Sequence, residues 1–256
     1  MKPELWWGRS DREWTLSGLT LAEGATLVER LLASPLEPEG VFCLAAHEAA
    51  ALSWAQGRCR VAVLTEAEMR RWAGFAFHRG MVAIARRPAP LTLETFLSQT
   101  PVPRRLAVAP RLTDPENLGS IFRSALALGW NVAVGPSSCD PYSRRCAKVS
   151  MGAVYAHPPV QLAEADTGRL LAGWTNLALS LEPGAHELET WVSAAHTALS
   201  GSVSLWIGNE FEGLDAGDRA LCSQALVIPM EDGHDSLNAA VAAGIALYRL
   251  RSSVTT

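Results

Sequence analysis

Three short stretches beyond residue 110 hold the side chains whose types and spacing best suit chemistry. The first is Asp114-Pro115-Glu116-Asn117-Leu118-Gly119-Ser120-Ile121-Phe122-Arg123, which leaves an apolar run and enters a helical pattern. Asn117 is a candidate N-cap, and Gly119 permits close approach of another backbone or of a ligand. Helical spacing puts Gly119 and Arg123 on one face, a turn apart, with Ile121, Phe122 and Ala125 pointing inward. A guanidinium there can fork onto a phosphate. Equally, Asn117 can be a cap and nothing more, and Arg123 can pair with an acid. The second stretch, Leu205-Trp206-Ile207-Gly208-Asn209-Glu210-Phe211-Glu212-Gly213-Leu214, is a buried strand that ends in glycine and passes into a turn bearing two carboxylates. That is either a site or a structural strand exit. The third, Ile228-Pro229-Met230-Glu231-Asp232-Gly233-His234-Asp235-Ser236-Leu237-Asn238, leaves a strand, loops, and enters a helix that Asp235 or Ser236 can cap. The run from Ala239 to Ala246 is so small-sided that another backbone must pack closely on it, within the chain or across a dimer.

Elements that would position these stretches are legible on either side. From Leu106 the pattern reads strand (106–109), helix (117–128), strand (132–134), helix (143–151), then strands at 175–179, 203–207 and 226–228 and a closing helix at 237–250. Alternation of this kind predicts an α/β unit with a parallel sheet flanked by helices. Ligands in such sheets gather beyond the carboxyl ends of the strands, here the loops that begin at Pro110, Gly208 and Pro229. Upstream, residues 15–34 read as an amphipathic helix, 41–45 and 60–64 as strands, 66–72 as a helical turn and 81–85 as a last strand. Prolines at 88, 90, 101 and 103 bracket a short helix at 92–97 and mark a linker. The expected organisation is therefore residues 1–90, a linker 91–105, and an α/β unit 106–256.

Composition narrows the function classes. With 48% hydrophobic residues in 256, the chain can bury a full core, which excludes a disordered or fibrous protein. No run approaches the roughly 20 apolar residues of a membrane helix, and Glu4, Arg9, Asp11 and Arg12 leave no signal-peptide core, so a soluble, cytoplasmic protein is expected. The five cysteines are scattered without C-x-x-C spacing, which predicts reduced packing residues and no metal centre. A net charge of −4 argues against nonspecific coating of nucleic acid. The distribution is uneven: residues 1–110 hold 13 Lys and Arg against 11 acids, and the remainder 9 against 15. The N-terminal part is thus the better candidate to grip nucleic acid, or its cations are a solvated surface. Neither G-x-G-x-x-G, nor a P-loop, nor G-x-S-x-G is present.

Taken together, in this order and spacing, the three stretches resemble the SpoU/TrmH family of knotted RNA methyltransferases. The resemblance is carried by Asn117, Gly119 and Arg123, by Gly208-Asn209-Glu210, and by Ile228-Pro229-Met230 followed by Ser236-Leu237-Asn238. Cys139-Asp140-Pro141-Tyr142-Ser143 and Ser150-Met151-Gly152-Ala153 look like the family's connecting stretch. The resemblance spans Leu106 to Arg251, and His78 to Ala85 looks like the end of the small ribosomal-protein-like RNA-binding domain of many members. It implies a C-terminal trefoil-knotted, parallel-sheet methyltransferase domain behind a smaller N-terminal α/β RNA-binding domain. It further implies S-adenosylmethionine as cofactor, held by backbone at Gly208, Ile228 and Leu237 with Pro229, Met230 and Asn238 close by. The implied partners are ribosomal or transfer RNA and a second copy of the chain in a homodimer, with no metal and no membrane.

The family's reaction is displacement at the sulfonium methyl by a ribose 2′-hydroxyl, and Arg123 matches the arginine proposed as its base. A guanidinium, with a pKa above about 12, seldom gives up its proton. The preferred role for Arg123 is therefore to grip the target phosphate and align the hydroxyl. Asn117, Glu210, Ser236 and Asn238 match positions that orient the arginine, the ribose and the cofactor. Phe211 departs from the pattern, since members usually carry glycine after the glutamate; a position needing φ > 0 or close approach would not suit it. Two other readings stay open: a relative that binds RNA without methylating it, and methylation of a base nitrogen by the same fold. The tryptophans Trp6, Trp7 and Trp14 match no family element and are packing or base-stacking groups.

Overall fold

The computed structural model describes residues 10–73, 79–163, 168, 171–194, 199–231, 234 and 236–251. Trp6, Trp7, His78, Asp232, Gly233 and Asp235, singled out above, lie outside the described residues. The chain divides into two units, residues 1–89 with 140–158, and residues 90–139 with 159–256.

The second unit is built on eight parallel strands. In chain order the elements are β5 (Leu91–Thr92), α5 (Leu93–Gln99), β6 (Arg105–Ala109), α6 (Pro115–Ala127), β7 (Asn131–Val134), β8 (Val160–Gln161), β9 (Thr175–Leu179), β10 (His186–Glu187), α9 (Leu188–Ala194), β11 (Val203–Ile207), α10 (Ala216–Ala220), β12 (Gln224–Val227) and α11 (Ala239–Leu250). The sheet order is β10-β12-β9-β11-β6-β7-β8-β5, every neighbouring pair parallel. Parallel strands covered on both faces must be apolar throughout, and β6 and β11 are buried at all five positions. One polar chain crosses this interior: Trp206 Nε1 donates to Ser204 Oγ (2.8 Å), which donates to Asn176 Oδ1 (2.6 Å), so the hydroxyl is satisfied inside the core. The stretch 91–105, expected to be a linker, instead supplies β5 to the sheet edge and α5 to its flank, because Leu93 and Phe96 belong to the same core as Leu106, Val108 and Trp206. The helix start expected at Asn117 falls at Pro115, with Asp114 as N-cap: its side chain accepts from the Glu116 N–H (2.9 Å), and proline needs no donor in the first turn. The closing helix starts at Ala239, capped by Asn238 rather than Asp235 or Ser236.

The first unit carries a four-stranded sheet in the order β1-β4-β2-β3, formed by β1 (Leu19–Glu23), β2 (Pro38–Cys43), β3 (Arg60–Val63) and β4 (Met81–Arg86). Helix α1 (Asp11–Leu16) precedes β1, and α2 (Ala25–Ala33), α3 (Glu48–Ala55) and α4 (Glu66–Ala73) join the successive strands. The single helix expected over 15–34 is thus three elements. Gly18 (φ 67°) and Gly24 (φ 87°) break it on either side of β1, whose first four residues are buried. Trp14 is 4% exposed and packs with Leu19, Leu21, Phe42 and Met69, so it is a core residue. Residues 140–158, expected in the C-terminal unit, belong here with α7 (Arg144–Val149) and α8 (Ala153–Ala156). They are tied to β1: Tyr155 Oη donates to the Leu21 carbonyl (3.0 Å), Thr20 Oγ1 donates to the Tyr142 carbonyl (3.0 Å), and Arg144 pairs with Glu23 (3.2 Å). Arg87 closes the unit with a two-pronged pair to Asp140 (2.9 and 2.7 Å).

All five cysteines are free thiols, three of them buried. Among the described residues no helix is long and apolar enough to cross a membrane. Among the same residues no group of three or more His, Cys, Asp or Glu is placed to hold a metal ion.

Candidate active site

Strands β12, β9, β11 and β6 are consecutive in the sheet and parallel, so their carboxyl ends open side by side. A cavity of about 560 Å³ lies there, walled by residues 179–182 at the end of β9, 207–214 at the end of β11, 226–228 and Met230 at the end of β12, and 236–239 with Ala242 at the start of α11. Gly208, Glu210, Ile228, Met230, Ser236, Leu237 and Asn238 of the sequence-derived set all line it. Pro229 does not line it, nor do Asn117 and Arg123. Sequence reasoning missed the β9 end, Ser180 to Glu182. The signal was available, since 175–179 reads as a strand and the carboxyl-end rule applies to its exit as well.

One side-chain relay joins the three stretches. Asn238 Oδ1 accepts from the Ala240 and Val241 N–H groups (3.0 and 3.2 Å), which caps α11 and fixes the orientation of the amide. Its Nδ2 must then donate, and does so to Asn117 Oδ1 (2.8 Å). Asn117 Nδ2 in turn donates to Glu210 Oε1 (2.6 Å), the short distance of a bond to a carboxylate. Asn117 is the third residue of α6 and only 6% exposed, so it caps nothing. Gly119 and Arg123 lie a turn apart within α6, as expected, with Gly119 buried and Arg123 exposed. Ile121, Phe122 and Ala125 point inward as expected. Among the described residues Arg123 has no hydrogen-bond or ion-pair partner, which leaves its fork of donors available.

The turn after β11 is held from several sides. Asn209 and Gly213 form a two-bond bridge (2.9 and 3.0 Å), and Asn209 Nδ2 reaches the Arg111 carbonyl (3.3 Å) in the loop after β6. A Cβ on Gly208 would lie 2.5 Å from the Leu214 nitrogen and 2.7 Å from Gly213 Cα, so the fold of the turn itself requires glycine there. The left-handed position is Gly213 (φ 70°); Phe211 is not among the residues with positive φ, and its side chain is 92% exposed. The objection raised by phenylalanine at this position therefore falls away on backbone grounds.

The charges of α10 and of its N-cap Asp215 are paired. Arg219 grips Glu182 through Nε (2.9 Å to both oxygens) and Nη2 (2.5 Å), and these bonds hold the Glu182 carboxyl below its usual range. Arg111 pairs with Asp215 and with Asp218 (3.2 Å), whose carboxyl is raised chiefly by burial. Burial also pushes the Cys222 thiol up to about 12, which makes it a packing group rather than a nucleophile.

Residues 105–248 match the SpoU rRNA Methylase family. An uncharacterized tRNA/rRNA methyltransferase of Mycobacterium bovis is 34% identical over 93% of this chain and 83% of its own. The 23S rRNA (guanosine-2'-O-)-methyltransferase RlmB of Acinetobacter baylyi is 32% identical over 70% of this chain and 73% of its own. Among solved structures, an AdoMet-bound rRNA methyltransferase from Sinorhizobium meliloti shares the fold with a TM-score of 0.80 at 23% identity, covering 96% of this chain and 92% of that one.

Proposed function

The chain belongs to the SpoU rRNA methylase family, and we propose that it transfers the methyl group of S-adenosylmethionine to a ribose 2′-hydroxyl of ribosomal or transfer RNA. The observation that carries the reading is the relay Asn238–Asn117–Glu210, which ties the first stretch, through Asn117, to one residue from each of the other two that lines a single cavity. The cavity fits the cofactor in size and in its mix of apolar walls and a few polar groups. Gly208, Ile228, Met230 and Leu237 would hold it, with Pro229 shaping the loop behind Ile228. When bound, S-adenosylmethionine supplies an electrophilic methyl on a sulfonium centre.

A ribose hydroxyl is a weak nucleophile, so the protein must align it and ease loss of its proton. Arg123, exposed and without a partner among the described residues, forks onto the phosphate next to the target ribose and fixes the hydroxyl. It could act as base only if it first passed a proton of its own to that phosphate or to a neighbouring group. Asn117 holds Glu210 at the cavity edge, and Ser236 and Asn238 present the remaining polar groups to ribose and cofactor. The N-terminal unit acts as the RNA-binding domain, in keeping with the surplus of cations over residues 1–110. The reading includes the trefoil knot. Its support is that the closing segment returns to Asn117, 121 residues earlier, through a relay that also engages the 208–214 loop. It also includes the homodimer: Gly244 faces open space, and Val241, Ile245 and Tyr248 stand 41–54% exposed along an open groove on α11.

The test is incubation with labelled S-adenosylmethionine and RNA from cells lacking the protein, followed by nucleoside analysis. Ribose-methylated product is expected, and Arg123→Ala is expected to abolish transfer while S-adenosylhomocysteine still binds. No incorporation into any RNA, label on a base nitrogen, or retained turnover in Arg123→Ala would each defeat the reading.

A further inference from the structure

Phe211 is the most exposed large hydrophobic side chain among the described residues, at 92%, ahead of Leu16 at 77%. Isolated apolar residues on a surface are ordinary, so exposure alone says little. Its setting says more. Phe211 lines the mouth of the cofactor cavity, one residue after Glu210. Its backbone is fixed: the Phe211 N–H donates to Asn209 Oδ1 (2.8 Å), inside a turn closed by the Asn209–Gly213 bridge. The turn itself needs no phenylalanine, since the left-handed and close-approach positions are both glycines. The ring is thus held at the rim by a stiff loop, with its faces in solvent.

We propose that Phe211 is an RNA-binding residue that stacks on a nucleobase of the RNA brought to this cavity; the inference rests on the RNA methyltransferase reading. The flanking groups select among possible occupants. Phe211 stands between the carboxylates of Glu210 and Glu212, both exposed. A phosphate would be repelled there, and the core of a protein interface is depleted in such charges. A nucleobase offers an apolar face to the ring and N–H donors at its edge that carboxylates accept. Backbone phosphate is left to Arg123, and the base goes to Phe211.

The experiment uses the full chain saturated with S-adenosylhomocysteine and, as probe, ribosomal RNA from cells lacking the protein. Phe211→Ala should weaken RNA binding on the order of tenfold while leaving S-adenosylhomocysteine affinity and sedimentation unchanged, and Phe211→Trp should restore it. Ultraviolet cross-linking of the wild-type complex should place RNA on the peptide containing Phe211. Unchanged RNA affinity in Phe211→Ala would overturn the proposal. So would an equal loss of S-adenosylhomocysteine affinity, which would make the ring a cofactor contact, or a change of oligomeric state, which would make it an interface between copies. Because binding is read apart from turnover, a wild-type protein that binds this RNA without methylating it defeats the proposed reaction and not the stacking role.

Discussion

Asn117 is nearly buried, and both ends of its amide are engaged, so its two neighbours dictate what can replace it. Asn117→Asp keeps the size and the acceptor for Asn238 but sets a carboxylate against Glu210. We expect a loss of about 1–3 kcal/mol in stability and a large fall in kcat. Adding Glu210→Gln restores a donor opposite the new carboxylate, so the double variant should be more stable than Asn117→Asp alone. Urea denaturation of the four proteins reads this directly, and additive losses would show that the pair is not coupled. Gly208→Ala tests the turn instead: with no room for a Cβ against Leu214 and Gly213, the loop must shift. S-adenosylhomocysteine binding should be lost, with about 1–3 kcal/mol of destabilisation, as calorimetric titration and melting would report. At this scale the sequence revealed the site well. The second and third stretches line one cavity, and the first is tied to its edge through Asn117, because the residues that follow apolar runs sit at strand exits. What it did not reveal was the pairing. A sequence shows that Asn117 can cap, but not that Asp114 takes the cap and leaves Asn117 free to bond sideways.

Elements were legible where the burial pattern is simple. Strands β9 and β11 fall on the expected residues, β11 buried throughout and β9 buried at Leu177 and Ala178, as strands inside a covered parallel sheet should. The region 15–34 misled because β1, buried at four of its five positions, carries Leu19, Leu21 and Ala22 between two helical segments, so its residues fit a helical period until the glycines are given their backbone angles. The prolines around 91–99 misled in a different way: they do end elements, but the residues between them still carry Leu93 and Phe96 into the core. Helix α11 shows what an element can say about assembly. One side, Ala243, Ala246, Leu247 and Leu250, is buried within the unit, whereas Val241, Ile245 and Tyr248 face outward beside Gly244. If that outer side meets a second copy, Ile245→Glu should convert a dimer to a monomer in sedimentation and lower methyl transfer. The monomer's own unfolding should stay within about 0.5 kcal/mol, because Ile245 is already 41% exposed. A variant that stays dimeric would place the interface elsewhere.

On the scale of the whole chain, sequence order and structural units do not coincide, and this makes a prediction about where the chain can be divided. Strand β1 is the edge of the four-stranded sheet, paired on one side with β4. Its other side is covered by residues 140–158, through Tyr155, Tyr142 and Arg144. An uncovered strand edge is a template for association. A fragment ending at residue 89 should therefore aggregate or unfold without cooperativity, although proline-rich sequence at 88–90 invites a boundary there. Supplying residues 140–158 as a separate peptide should recover a cooperative transition. The same cover can be weakened in the intact chain. Tyr155 is fully buried, burial raises its phenol well above the ordinary value, and its hydroxyl bonds to the Leu21 carbonyl, so Tyr155→Phe leaves that carbonyl without its partner. The expected loss is about 1–2 kcal/mol, seen as a lower urea midpoint. If the fragment 1–89 folds cooperatively alone and Tyr155→Phe is neutral, residues 140–158 are a passive connector, and the N-terminal unit is complete without them.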